Sequence, residues 1–270
     1  MKASYHFFEF QKSRLGYMKA GNGPGSLLIF HGFGQDHTIF NQLAEELKDQ
    51  FTLYAFDLFF HGQSEWQYGE KPLSKPFWSN LLESFLQEAK IEKFSLIGYS
   101  LGGKFALASM ECLPSRVNGI YLIAPDGIKT NTWYSLATYP LVLRSLFKSL
   151  ISKPERFHSI IKLAHSLRLA DPKVIRFAES QMDTEEKRKR VYYSWVVFRR
   201  LKFNINKLAG LINTHDIILW VIVGKHDRVI TPENMQDLLS QVPQHTLKVL
   251  DSGHSTLIHE SVKELRNIRP

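Results

Sequence analysis

Runs of four to seven apolar, β-branched and aromatic residues recur along the chain at Leu27–Phe30, Phe51–Phe56, Phe94–Ile97, Gly119–Ile123, Ile217–Val223 and Thr246–Leu250. Between them, apolar positions return at helical spacing over Thr38–Lys48, Trp78–Ala89 and Gly102–Leu113. Thr231-Pro232-Glu233 has the make-up of a helix start, with a capping hydroxyl, a first-turn proline and an acid. Strands covered on both faces lose their polar alternation, so this pattern predicts βαβ units around a mostly parallel sheet. The opening stretches Tyr5–Phe10 and Arg14–Lys19 predict an antiparallel hairpin at the sheet edge.

The alternation stops between Asp126 and Gly210. Phe157, Ile160, Ile161, Ala164 and Leu167 share one helical face, Asp171-Pro172 opens a further helix, and Val191, Trp195 and Phe198 stripe a third. The expected organisation is therefore one α/β core, residues 1–125 and 211–270, interrupted by a helical insertion at 126–210. A chain of 270 residues with 44% hydrophobic content can bury a core of that size.

Charge sharpens this picture. The net charge is +8, yet residues 126–210 alone carry 17 Lys and Arg against 7 Asp and Glu. The run Lys187-Arg188-Lys189-Arg190 follows Glu185 and Glu186 and precedes the Val191 stripe, which predicts the solvated side of an amphipathic helix and no nucleic-acid site. Arg168, Arg176, Arg199 and Arg200 are the candidates to face inward and favour an anionic substrate. The lone Cys112 can close no intrachain disulfide, and no Cys or His cluster has metal-ligand spacing. Neither a secretory leader nor a bilayer-length apolar run is read, so a cytoplasmic protein without cofactor, metal or stable membrane insertion is expected.

The chemistry concentrates at Gly98-Tyr99-Ser100-Leu101-Gly102, between a predicted strand and a predicted helix. So sharp a turn strains its serine, needs small residues on either side, and aims the hydroxyl from the sheet's C-terminal edge at a helix N-terminus. A serine needs a base to take its proton and an acid to orient that base. His254 follows the last strand and Asp227 follows the one before it, giving the chain order Ser100, Asp227, His254. His226 is a rival base, and Asp126, just after Gly119–Ile123, a rival acid. Backbone amides of Leu101 and of Phe33, in His31-Gly32-Phe33-Gly34, are the candidate oxyanion donors.

With these segments in view the chain resembles the α/β-hydrolase fold superfamily of serine esterases, lipases and haloperoxidase-like enzymes. The loop His31–Gly34 resembles that family's oxyanion loop, and Asp57-Leu58-Phe59-Phe60-His61-Gly62-Gln63-Ser64 resembles its Asp-x-x-Gly-His-Gly-x-Ser turn, with Phe59 and Phe60 departing from the usual small or proline residues. The resemblance implies a sheet of about eight strands flanked by helices, a helical cap at 126–210, and ester hydrolysis of a small acyl substrate through an acyl-enzyme. It leaves open C–C bond hydrolysis or a lyase reaction of the menaquinone-pathway kind on the same triad. Outside catalysis, the alternative is a binding module that holds a ligand under the cap without turnover.

Overall fold

The computed structural model describes residues 3–129, 138, 141–153, 155, 157, 159, 162 and 179–270. Its strands are β1 (Ser4–Phe10), β2 (Ser13–Ala20), β3 (Gly25–Phe30), β4 (Phe51–Phe56), β5 (Glu65–Trp66), β6 (Phe94–Tyr99), β7 (Val117–Ile123), β8 (Ile218–Gly224) and β9 (His245–Leu250). They form one nine-stranded sheet in the order β1-β2-β4-β3-β6-β7-β8-β9, with β5 added beside β2. The sheet from β4 to β9 is parallel, and β1 and β2 form the antiparallel hairpin expected at one edge. The strand beyond the expected eight is β5, too short to leave a periodic trace in sequence.

Both faces of the parallel strands are covered, which is why their sequences read as continuous apolar runs. One face packs Leu27, Ile29, Ile97 and Ile222 against Phe40, against Leu43 and Leu47 of helix α1 (Asn41–Leu47), and against Leu257, Ile258, Val262 and Leu265 of the C-terminal helix Leu257–Leu265. The other is built on aromatic rings from helices α2 (Lys75–Glu88) and α3 (Gly102–Cys112). The buried Phe85 meets Phe8, Tyr17, Tyr54 and Phe56 edge-on, so truncating it to alanine is expected to cost about 3–5 kcal/mol. Ser74 caps α2 by accepting the Phe77 amide at 3.3 Å, and Pro76 occupies the first turn where no backbone donor is needed.

The chain divides into two compact units, one of Met1–Tyr68, Leu73–Thr130 and Leu201–Pro270, the other of Gly69–Pro72 and Asn131–Arg200. The helix Ile205–Thr214 belongs to the first unit, so the division falls inside the 126–210 span of the expected insertion. In the second unit Leu141–Ser152 packs on Glu185–Phe198, with Phe147 against Tyr192 and Trp195. Arg188 corrects one expectation. It is buried, not solvated, and donates to the carbonyls of Ile151 at 2.9 Å, Met182 at 3.1 Å and Asp183 at 3.3 Å, closing the end of the neighbouring helix. Ile160, Ile161, Ala164, Leu167, Asp171-Pro172, Arg168 and Arg176 lie outside the described residues. No described helix is long and apolar enough to cross a membrane.

Candidate active site

Strand β3 has β4 on one side and β6 on the other, so the chain's direction of winding reverses between β3 and β6. Loops leaving the C-terminal ends of two such strands diverge and open a crevice. Phe30 of β3 pairs with Gly98 of β6, which sets the His31–Gly34 loop beside the Ser100 turn.

Ser100 adopts φ +50°, a left-handed conformation that costs a non-glycine residue about 1–3 kcal/mol. The turn holds it there: its amide donates to Ile123 at 2.9 Å, while its carbonyl accepts from Gly103 at 2.8 Å and Asp126 at 2.9 Å. Small residues are obligatory on both sides, since a Cβ on Gly102 would lie 2.0 Å from the Phe30 carbonyl oxygen and one on Gly98 2.8 Å from Ala106 Cβ.

His254 Nε2 stands 2.9 Å from Ser100 Oγ, and its Nδ1 stands 2.6 Å from Asp227 Oδ2. Asp227 is buried, and its other oxygen accepts the amides of Val229 at 2.8 Å and Ile230 at 2.9 Å. Three donors to one carboxylate fix its orientation and, with it, the tautomer of His254. The rivals go elsewhere: Asp126 pairs with Lys104 at 2.8 Å, and His226 pairs with Asp251 at 2.7 Å on the surface.

The amides of Phe33 and Leu101 have no hydrogen-bond acceptor among the described residues. The loop carrying Phe33 is fastened by two histidines that sequence reasoning did not single out for a role. His31 Nδ1 bonds the Gly32 carbonyl at 2.7 Å and its Nε2 accepts the Leu58 amide at 3.0 Å, so the ring is neutral. Burial pushes His31 down to about 4. His61 Nε2 accepts the Gly34 amide at 3.0 Å and its ring meets Phe33 edge-on. Beneath them Asp57, fully buried, accepts from Tyr5 Oη at 2.6 Å, the His37 amide at 2.7 Å, His37 Nδ1 at 2.9 Å and the Gln63 amide at 3.3 Å. Burial works against its charge, but the bonds from His37 and Tyr5 prevail and hold it at about 2. Of the two departures from the family turn, Phe59 is buried against Trp66 and Phe60 takes φ +68°, a conformation that favours glycine.

An alcohol hydrogen-bonded to an imidazole that is itself held by a carboxylate can act as a nucleophile toward a carbonyl carbon. A pimeloyl-[acyl-carrier protein] methyl ester esterase of Stenotrophomonas maltophilia is 28% identical over 247 residues, 88% of each chain. An uncharacterized protein of Mycobacterium tuberculosis is 33% identical over 133 residues, but these are 47% of this chain and only 37% of that one. A solved thermophilic esterase from Thermogutta terrifontis superposes with a TM-score of 0.69 at 21% identity, covering 94% of this chain and 92% of its own. The family model for the alpha/beta hydrolase fold matches residues 25–261, and the chain belongs to that family of hydrolases.

Proposed function

We propose that the chain is a serine hydrolase that cleaves a carboxylic ester through an acyl-enzyme on Ser100. The observation that carries this reading is the continuous relay from Ser100 Oγ through His254 to Asp227, at 2.9 and 2.6 Å. Ser100 Oγ attacks the ester carbonyl carbon as His254 Nε2 takes its proton. The carbonyl π-electrons move to oxygen, and the resulting oxyanion takes hydrogen bonds from the amides of Phe33 and Leu101, the latter at the N-terminus of α3. Asp227 stabilises the imidazolium, which returns the proton to the departing alcohol as the C–O bond breaks. Water then repeats the sequence on the acyl-enzyme, releasing the acid and restoring Ser100.

The relative that is itself a methyl ester esterase supports an ester substrate. The basic balance of residues 126–210 supports a small acyl substrate carrying a negative charge, and the single free thiol of Cys112 is compatible with a cytoplasmic setting. The test is labelling by a fluorophosphonate probe together with turnover of short-chain aryl esters. Wild type should take one probe per chain and Ser100→Ala none. An adduct of the same mass on Ser100→Ala removes the assignment. Labelling at Ser100 with no ester turnover would favour the C–C hydrolase or lyase alternatives, and a chain that neither labels nor turns over would be a binding module.

A further inference from the structure

We propose that Tyr99 is a positioning residue for His254, which it ties to the same turn that carries Ser100; this rests on the serine-hydrolase reading above. Tyr99 is 2% exposed, and its Oη donates to the main-chain carbonyl of His254 at 2.7 Å. Its ring also stacks on the imidazole, with centroids 5.6 Å apart and planes 30° from parallel. On another side the ring abuts the loop after β3, where a Cβ built on Gly32 would lie 3.1 Å from two of its carbons. One side chain therefore touches the base and the loop that bears Phe33, and it does so from the residue next to the nucleophile.

The need for such a strut follows from where His254 sits. Its loop joins β9 to the helix Leu257–Leu265 and is tied by backbone to the loop after β8, where the His226 amide donates to the Ser252 carbonyl at 3.0 Å, but among the described residues no backbone hydrogen bond joins it to the β6 turn. The side-chain bonds around it, Ser252 Oγ to the Gly253 carbonyl at 3.2 Å and Ser252 Oγ to Thr256 Oγ1 at 2.8 Å, stay within the loop. They shape the loop without fixing its distance from Ser100. Tyr99 supplies that link through the backbone of residue 254, leaving both imidazole nitrogens free for Ser100 and Asp227. Burial first, and the charge of Asp227 second, push the Tyr99 phenol above its ordinary range, so it remains a donor throughout the working pH range. Proton transfer requires the base to keep both hydrogen bonds at once, and misplacement by about 1 Å in such an array can cost about a hundredfold in rate.

The experiment uses the full chain with Tyr99→Phe, which keeps the ring and removes only the hydroxyl. Three readouts are taken: kcat and KM on a short-chain aryl ester, the rate of fluorophosphonate labelling at Ser100, and the downfield proton resonance of the His254 Nδ1–H···Asp227 bond. We expect kcat and the labelling rate to fall about tenfold, equivalent to about 1.4 kcal/mol of transition-state stabilisation, with KM unchanged and the resonance broadened by exchange. Tyr99→Leu, which also removes the stacked ring, should fall further in kcat at the same KM. Wild-type rates with a sharp resonance in Tyr99→Phe overturn the proposal. So does a loss expressed in KM alone, which would make Tyr99 a substrate-binding residue. A wild-type chain that does not label fails the serine-hydrolase reading instead, and the resonance still reports on its own whether Tyr99 holds His254.

Discussion

Lys104 Nζ lies 2.8 Å from Asp126 Oδ2, so one of the two candidate carboxylates is held in an ion pair while the other, Asp227, is bonded to His254 at 2.6 Å. Lys104 is 6% exposed on the first turns of α3, so its charge requires a partner, and Asp126 is committed to it while its amide braces Ser100. Asp227→Asn should lower kcat by roughly 10⁴-fold, the scale expected when the histidine is held in the wrong tautomer, and leave the thermal midpoint near wild type. Asp126→Asn should do the reverse. Its kcat stays within about threefold of wild type, while stability drops by about 1–2 kcal/mol, below the figure for a fully buried pair because the Asp126 carboxylate is partly solvated. Steady-state kinetics and thermal unfolding of both variants check this. An exchange of the two behaviours would move the orienting acid to Asp126.

Acid should loosen the His31–Gly34 loop from beneath. His31 binds a proton near its ordinary value when unfolded but only near pH 4 when folded, because burial opposes its charge. The unfolded chain therefore takes up protons first, and stability contributed by neutral His31 is full above about pH 6.5 and lost as pH falls toward 4. Asp57, held at about 2, adds a loss in the same direction at lower pH. Urea midpoints measured between pH 8 and pH 4 should decline on acidification, and His31→Asn should flatten the upper part of that slope. An unchanged slope in the variant would assign the titration to another group.

The sequence carried the parallel core and the Ser100, Asp227 and His254 constellation because both depend on local signals, apolar runs and short turns at strand ends. It left out what long-range pairing creates. The two residues of β5 have no periodicity, and the bonds that join Tyr99 to His254 and His61 to Gly34 span 155 and 27 positions. Arg188 was legible in a different way. Its charge places it with its neighbours in a solvated run, but its spacing places it on the stripe of Val191, Trp195 and Phe198, and the structure follows the spacing.

That inward arginine leads to a stability prediction. Arg188→Met deprives three carbonyls of their donor and should cost about 1–3 kcal/mol, felt in the second unit before the first. Hydrogen exchange should accelerate across Leu141–Ser152 and Glu185–Phe198 while β6 and β7 stay protected. Lys189→Met, which removes one end of an exposed pair with Glu185, should change neither region measurably. Uniform acceleration throughout the chain by Arg188→Met would mean that the two units open together.

Charge in the second unit should also govern which esters are preferred, and Arg190 is the residue on which this is best tested. Most described cations there are already engaged: Lys148 and Arg144 with Glu70, Lys187 with Asp183, Lys189 with Glu185, and Arg188 and Arg199 with carbonyls. Arg190 has no acid and no hydrogen-bond acceptor among the described residues, and its buried Nε is unsatisfied. One helical turn on, the buried Ser194 hydroxyl is unsatisfied as well. A guanidinium without an acid attracts carboxylates through its field, most strongly at low ionic strength. A mono-aryl ester of a dicarboxylic acid should therefore exceed the neutral ester of equal length in kcat/KM at low ionic strength. The ratio should shrink by about fivefold at high salt, as exposed charges become screened beyond about 3 Å at 1 M. Arg190→Gln should lower the ratio at low salt and leave the neutral ester unaffected. Equal rates for the two esters, or a preference insensitive both to salt and to Arg190→Gln, would leave the charge of this unit to solubility alone.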